Sequence, residues 1–294
     1  MRMLEHRYPR YGTIGLLLLV VMETAVLCDQ STALAGPYLD AITAWTTPVC
    51  WWGYILAVAA WLRRRHGGSL LDGGGDRVAM LCLLSIAFWC LFEAYNCLLP
   101  GWRYLNLNPH LAIRYLGYAI SFASILPGLF LTTELLQSYG LFLHAQGRSV
   151  HWSAAVLRGS SLLGAACCLL PPFCPEPVRG YLWGAVWVGF ILWLEPINYR
   201  RGAQSLYRDW EFGDYSRTLQ LLLAGAICGL LWEFWNYWAY TKWVYIFPVP
   251  VGASLHYLEM PLIGFLGFLP FALECFVMFH FATSFFARED KLGL

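Results

Sequence analysis

Eight stretches of about 20 mainly apolar residues, each long enough to cross a bilayer core as a helix, divide this chain of 294 residues. They run approximately over 12–30, 38–62, 78–99, 112–137, 153–173, 180–199, 217–239 and 254–286. Only 13% of the residues are charged, against roughly 25% in soluble domains, so little polar surface is left for a water-facing shell. The expected fold class is therefore an all-α polytopic integral membrane protein of about eight transmembrane helices in a lipid bilayer. A net charge of +1 leaves no basic excess for nucleic acid.

The polar residues fall between the stretches. The two longest linkers, from Arg63-Arg64-Arg65-His66 through Asp76-Arg77 and from Arg200-Arg201 through Arg217, are too short to hold a soluble domain. Counting Lys and Arg on alternate sides of eight spans gives fifteen on one side and four (Arg103, Arg114, Arg179 and Lys242) on the other. By the positive-inside rule, both termini are expected in the cytoplasm of a multi-pass protein of the inner (plasma) membrane. The N-terminal arginines before an apolar run also fit a signal peptide, but no clear small-x-small cleavage site follows. The run is read as the first span.

The chain also matches itself. Leu91-Phe-Glu-Ala-Tyr-Asn96 aligns with Leu231-Trp-Glu-Phe-Trp-Asn236 at an offset of 140, and Trp102-Arg-Tyr104 with Trp243-Val-Tyr245 at 141. Glu134 meets Glu274 at 140, and Gly53-Tyr-Ile-Leu56 meets Gly189-Phe-Ile-Leu192 at 136. Chance resemblance among apolar helices explains shared Leu and Phe; it explains shared Glu, Asn, Trp and Tyr poorly. The expectation is two parallel four-helix repeats, residues 1–150 and 151–294, forming one membrane domain.

Seven glutamates lie within the spans: Glu23, Glu93, Glu134, Glu195, Glu233, Glu259 and Glu274. A carboxylate in lipid must be protonated, paired or turned to a polar cavity. Glu93 with Asn96, Glu195 with Asn198, and Glu233 with Asn236 stand three residues apart, which places carboxyl and amide on one helix face. Such a pair suits a proton donor and equally a helix-packing clamp. The start of the last span brings Glu259 and His256 to the same side of the membrane as Glu233. Glu233, Glu259, Asn236, His256, Glu93 and Asn96 are thus the candidate catalytic groups, and Trp232, Trp235, Trp243, Tyr245, Trp102 and Tyr104 the candidate substrate-binding ones. An interfacial aromatic belt is the plainer reading of these rings. Glu259 and Glu274 are expected to share a face of the last helix.

No HExxH, CxxC or paired-His motif is present, and no phosphate-binding glycine loop, so no metal and no cofactor is expected. Six of the ten cysteines sit inside apolar runs as small hydrophobes. Only Cys28, Cys97 and Cys174 lie near span ends, where spacing does not decide whether any pair.

Over residues 190–280 the sequences Trp232-Glu-Phe-Trp-Asn-Tyr-Trp238, Lys242-Trp-Val-Tyr245 and Glu259-Met-Pro-Leu-Ile-Gly-Phe-Leu-Gly-Phe-Leu-Pro-Phe-Ala-Leu-Glu-Cys275 resemble a family of uncharacterised bacterial multi-pass membrane proteins. The resemblance implies no activity. A second similarity is to the lycopene-cyclase domain and the small membrane terpene cyclases, whose order of an acid after Trp, a Trp-bearing loop and an acid beside Pro is echoed by Trp232-Glu233, Trp243 and Glu259 with Pro261. The cyclase pattern sets an acidic pair directly after Pro-Leu, whereas here Ile263 follows Leu262. Two functions fit: an enzyme acting by acid catalysis on a lipophilic, isoprenoid-like small molecule, or a carrier or structural subunit whose glutamates couple or pack.

Overall fold

A computed structural model describes residues 7–31, 34–249 and 255–285. Its first half contains α1 (Arg10–Asp29), α2 (Pro37–Thr43), α3 (Thr46–His66), α4 (Gly75–Leu98), α5 (Leu111–Ala123) and α6 (Ile125–Ser138). The second contains α7 (Ala154–Leu169), α8 (Glu176–Arg179), α9 (Trp183–Arg201), α10 (Leu206–Glu211), α11 (Ser216–Trp238) and α12 (Phe265–Thr283). Strands are short: β1 (Trp102–Leu105), β2 (Lys242–Tyr245), β3 (His256–Tyr257) and β4 (Met260–Pro261).

Among the described residues, seven helical stretches are long and apolar enough to cross a membrane, so the chain is an all-α polytopic membrane protein. They are Arg10–Asp29, Gly75–Leu98, Leu111–Ser138, Ala154–Phe173, Glu176–Arg201, Ser216–Trp238 and Leu262–Thr283. The expected span over 38–62 differs. It breaks at Ala44-Trp45 into α2 and α3, and α3 is not among the seven. Its 21 residues are long enough, but Thr46, Thr47, Trp51 and Trp52 dilute its apolarity, and it faces neighbouring helices along much of its length.

The last span also differs. Residues 256–261 form a hairpin in which His256 pairs Pro261 and Tyr257 pairs Met260, with Leu258 at the turn in a left-handed conformation (φ 58°). The helix begins only afterwards. Glu259 is therefore on a turn, and the expected common helix face with Glu274 does not exist.

Elsewhere the chain ends its helices as its residues dictate. Gly67 (φ 85°) and Gly202 (φ 73°) terminate α3 and α9 in the left-handed region. Ser69 and Asp72 form a reciprocal capping box on the turn before α4. Each half opens with two helices in backbone contact: a Cβ on Gly15 would lie 2.5 Å from the Gly53 carbonyl, and one on Gly164 2.6 Å from the Gly189 carbonyl. Leu16, Leu17, Val20 and Val21 of α1 and Leu162 and Leu163 of α7 face outward, as on a surface solvated by lipid.

Three of the glutamates within the spans serve this architecture, whereas Glu274 is fully buried with no hydrogen-bond partner on either oxygen among the described residues. Glu23 accepts from the Trp235 indole (2.9 Å), Glu134 from the Leu70 amide (3.0 Å), and Glu195 from the Ser205 hydroxyl (2.5 Å) and the Tyr207 amide (3.0 Å). All ten cysteines are free thiols, Cys28, Cys97 and Cys174 included.

Candidate functional site

The site is built on the turns that follow α4 and α11. After α4, the Asn96 side chain donates to the Trp102 carbonyl (2.9 Å) and accepts from the amides of Gly101 (2.8 Å) and Trp102 (3.1 Å). After α11, Asn236 donates to the Trp243 carbonyl (2.9 Å) and accepts from the Trp243 amide (2.8 Å). Each amide therefore binds the start of the strand that follows its helix. The two strands then pair antiparallel, with Trp102 opposite Tyr245, Arg103 opposite Val244, Tyr104 opposite Trp243 and Leu105 opposite Lys242.

That register returns each tyrosine to the glutamate on its own helix. The Tyr104 hydroxyl donates to Glu93 Oε1 (2.5 Å), and the Tyr245 hydroxyl donates to Glu233 Oε1. The two carboxyls are not equally satisfied. Glu93 Oε1 also accepts from the Trp89 (2.9 Å) and Trp102 (3.1 Å) indoles. Glu233 is fully buried, and its Oε2 has no hydrogen-bond partner among the described residues. The Trp243 indole donates instead to the Tyr245 hydroxyl (2.8 Å), forming a chain from indole to phenol to carboxyl. Burial, then the adjacent carboxylate, holds both phenols well above the ordinary tyrosine value, so each remains a hydroxyl.

Beside the strand pair lies a cavity of ≈ 900 Å³, lined by Trp102, Tyr104, Trp243, Tyr245 and Trp232 among the expected residues. Trp51, Trp89, Trp183, Trp187 and Phe271 complete much of its aromatic wall. Their rings interlock: Trp51 and Trp232 are 4.8 Å apart, Trp102 and Trp183 4.9 Å, and Trp187 and Phe271 5.4 Å. Trp183 reaches its place by donating to the Leu99 carbonyl (2.7 Å) across Gly101, where a Cβ would come within 2.6 Å of the indole nitrogen. The volume and apolar lining suit a lipophilic molecule.

The remaining expected residues lie elsewhere. Trp235 does not line the cavity; it packs edge-on against Trp51 (5.1 Å) and is held by Glu23. Glu259 is half-buried in an ion pair with Lys242 (2.6 Å), and His256 is exposed on β3; neither lines the cavity. His256 was expected to turn inward with Glu233, but the hairpin carries it outward. Glu233, Asn236, Glu93 and Asn96 stand behind the wall, reaching the cavity only through Tyr104, Tyr245 and the tryptophans. Trp51, Trp183 and Trp187 were not among the expected residues; their aromatic type was visible in the sequence, but their common destination depends on packing among α3, α9 and α4. Comparisons with protein-family models, with curated proteins and with solved structures find no match.

Proposed function

We propose that the protein is a membrane-embedded enzyme that protonates a double bond of a lipophilic, isoprenoid-like substrate held in the aromatic cavity. The observation that carries the reading is Tyr245, which lines the cavity and whose hydroxyl bonds the buried Glu233. With Glu233 protonated, its carboxyl donates to the phenol oxygen while the phenol passes its own proton to the alkene carbon. Glu233 is left as carboxylate and the substrate as a carbocation. Loss of a proton from a neighbouring carbon, taken back by Glu233 through Tyr245, gives an isomer, and attack of a second double bond on the cation before that loss gives a ring; neither involves net oxidation. The ring faces of Trp232, Trp243 and Trp102 would stabilise the cation. Glu233 fits the acid better than Glu93, whose oxygen is already held by two indoles and a phenol. Glu259, neutralised by Lys242, is a positioning group for β2.

The same reading takes the chain as a duplicated unit, residues 1–150 and 151–294, with α3 crossing alongside the seven apolar stretches as an eighth span, so that both termini lie on the cytoplasmic side of the inner membrane. It is supported by the equivalent hydrogen bonds of Asn96 and Asn236, the equivalent tyrosine bonds to Glu93 and Glu233, and the glycine contacts that open each half. The similarity to membrane terpene cyclases agrees with the chemistry proposed.

The test is lipid analysis of a deletion strain complemented by wild type, Glu233→Gln or Tyr245→Phe. An unsaturated lipid should accumulate in the deletion and in both variants, at normal membrane levels of protein, and disappear with wild type. An unchanged lipid profile would refute the enzyme and leave the carrier or structural reading.

A further inference from the structure

At the opposite end of the bundle from the strand pair, a separate cavity of ≈ 640 Å³ lies among α4, α6, α11 and α12. Its inner wall is apolar, with Leu81, Phe130 and Phe276. Two arginines line it: Arg77 in the first turn of α4 and Arg217 in the first turn of α11, at the same offset of 140 that relates Glu93 to Glu233. The N-termini of these two long helices direct their positive ends to the same place. His280 of α12 also lines the cavity. It is only 5% exposed, and its Nε2 has no hydrogen-bond partner among the described residues. A buried ring nitrogen left unbonded is destabilising, and a ligand oxygen in the cavity would satisfy it.

Two carboxylates, Asp72 and Glu134, also line this cavity. Asp72 pairs with Arg63 and accepts from Ser69, and Glu134 accepts from the Leu70 amide. Arg217 lies 3.3 Å from Asp209 and over the Phe276 ring, whereas Arg77 makes no ion pair among the described residues. A free arginine and a buried, unbonded imidazole nitrogen over an apolar wall suit an anion attached to a hydrocarbon.

We propose that this cavity binds a phosphate group carried on an apolar chain, with Arg77 and Arg217 on the phosphate oxygens, His280 hydrogen-bonded to one of them, and the chain against Leu81, Phe130 and Phe276. A bilayer phospholipid and a phosphorylated prenyl alcohol share this chemistry. The site is distinct from the aromatic cavity and stands whether or not acid catalysis occurs there.

The test is thermal unfolding of the full-length protein in a non-ionic detergent. The probes are dioctanoyl phosphatidylglycerol, farnesyl monophosphate, dioctanoyl phosphatidylcholine and inorganic phosphate. Phosphatidylglycerol or farnesyl monophosphate should raise the melting temperature, the first pointing to a bilayer lipid and the second to a phosphorylated alcohol. Arg77→Gln removes no ion pair, so it should fold as wild type does. It should bind about tenfold more weakly, as for loss of one hydrogen bond to a charged group. His280→Leu should weaken binding further when combined with it. Equal stabilisation by phosphatidylcholine or by inorganic phosphate would overturn the proposal, as would an unchanged response in Arg77→Gln and Arg217→Gln.

Discussion

Tyr104 stands directly opposite Trp243 in an antiparallel strand pair whose members come from turns 140 residues apart, and Trp102 stands opposite Tyr245 in the same register. Arg103 and Val244 are opposed at its middle. Opposed residues in such a pair have Cα atoms about 4.5–5.5 Å apart, within disulfide range. The double variant Arg103→Cys, Val244→Cys should therefore cross-link under mild oxidation and hold the two fragments together after proteolysis between them. Each single variant should not. Failure of the double variant to cross-link would place the strands apart.

Asn96 and Asn236 each hold a strand to the helix that precedes it. Replacing either by Ala leaves main-chain groups without partners, at a cost of roughly 1–3 kcal/mol. Asn236→Ala should be the more damaging, since Asn236 is fully buried and Asn96 only partly. Melting temperature in detergent measures both, and equal melting of Asn236→Ala and wild type would remove the clamp.

Alkaline pH should act on the same strands. Tyr104 and Tyr245 hold their protons more tightly when folded, because burial and then Glu93 and Glu233 oppose the phenolate. The stability this gives is complete below the unfolded tyrosine value of about 10 and is lost as pH rises towards the folded values. Melting temperature should fall from about pH 10 upward, and less steeply in the Tyr104→Phe, Tyr245→Phe double variant. Parallel curves would show that these phenols are not the groups responsible.

The charge asymmetry predicts opposite locations for two reporters. A fusion after Leu294 should report the cytoplasm, and one placed within 103–110 should report the far side. A C-terminus outside the cytoplasm would defeat the orientation.

Hydropathy and periodicity disclosed most of the spans and the Glu-x-x-Asn faces, because both depend on residues close together in sequence. The shared Trp-x-Tyr after each face was visible too, although its antiparallel register was not. What escaped was backbone geometry inside apolar sequence. The hairpin at 256–261 reads as continuous hydropathy, yet its left-handed Leu258 takes His256 and Glu259 off the helix. The Glu259 ion pair with Lys242 and the Glu23 bond to Trp235 join residues 17 and 212 positions apart, distances over which no local pattern carries information. Likewise, Glu233 was legible as a buried acid, whereas its approach to the cavity through Tyr245 depends on how the strands return.

The strand pair also sets the mechanics of the molecule. It fastens the turn after α4 to the turn after α11 by main-chain bonds, and at the other end the Gly147 amide donates to the Gly213 carbonyl (2.9 Å), the Val150 amide to the Trp210 carbonyl (3.0 Å) and the Tyr215 amide to the Ala145 carbonyl (2.8 Å), so main-chain bonds join the two parts of the chain at both ends. The aromatic cavity sits beside the first of these ties and the arginine-lined cavity toward the second. Tied in this way, the cavities lie in a frame whose register is kept by main-chain bonds as well as by side-chain packing.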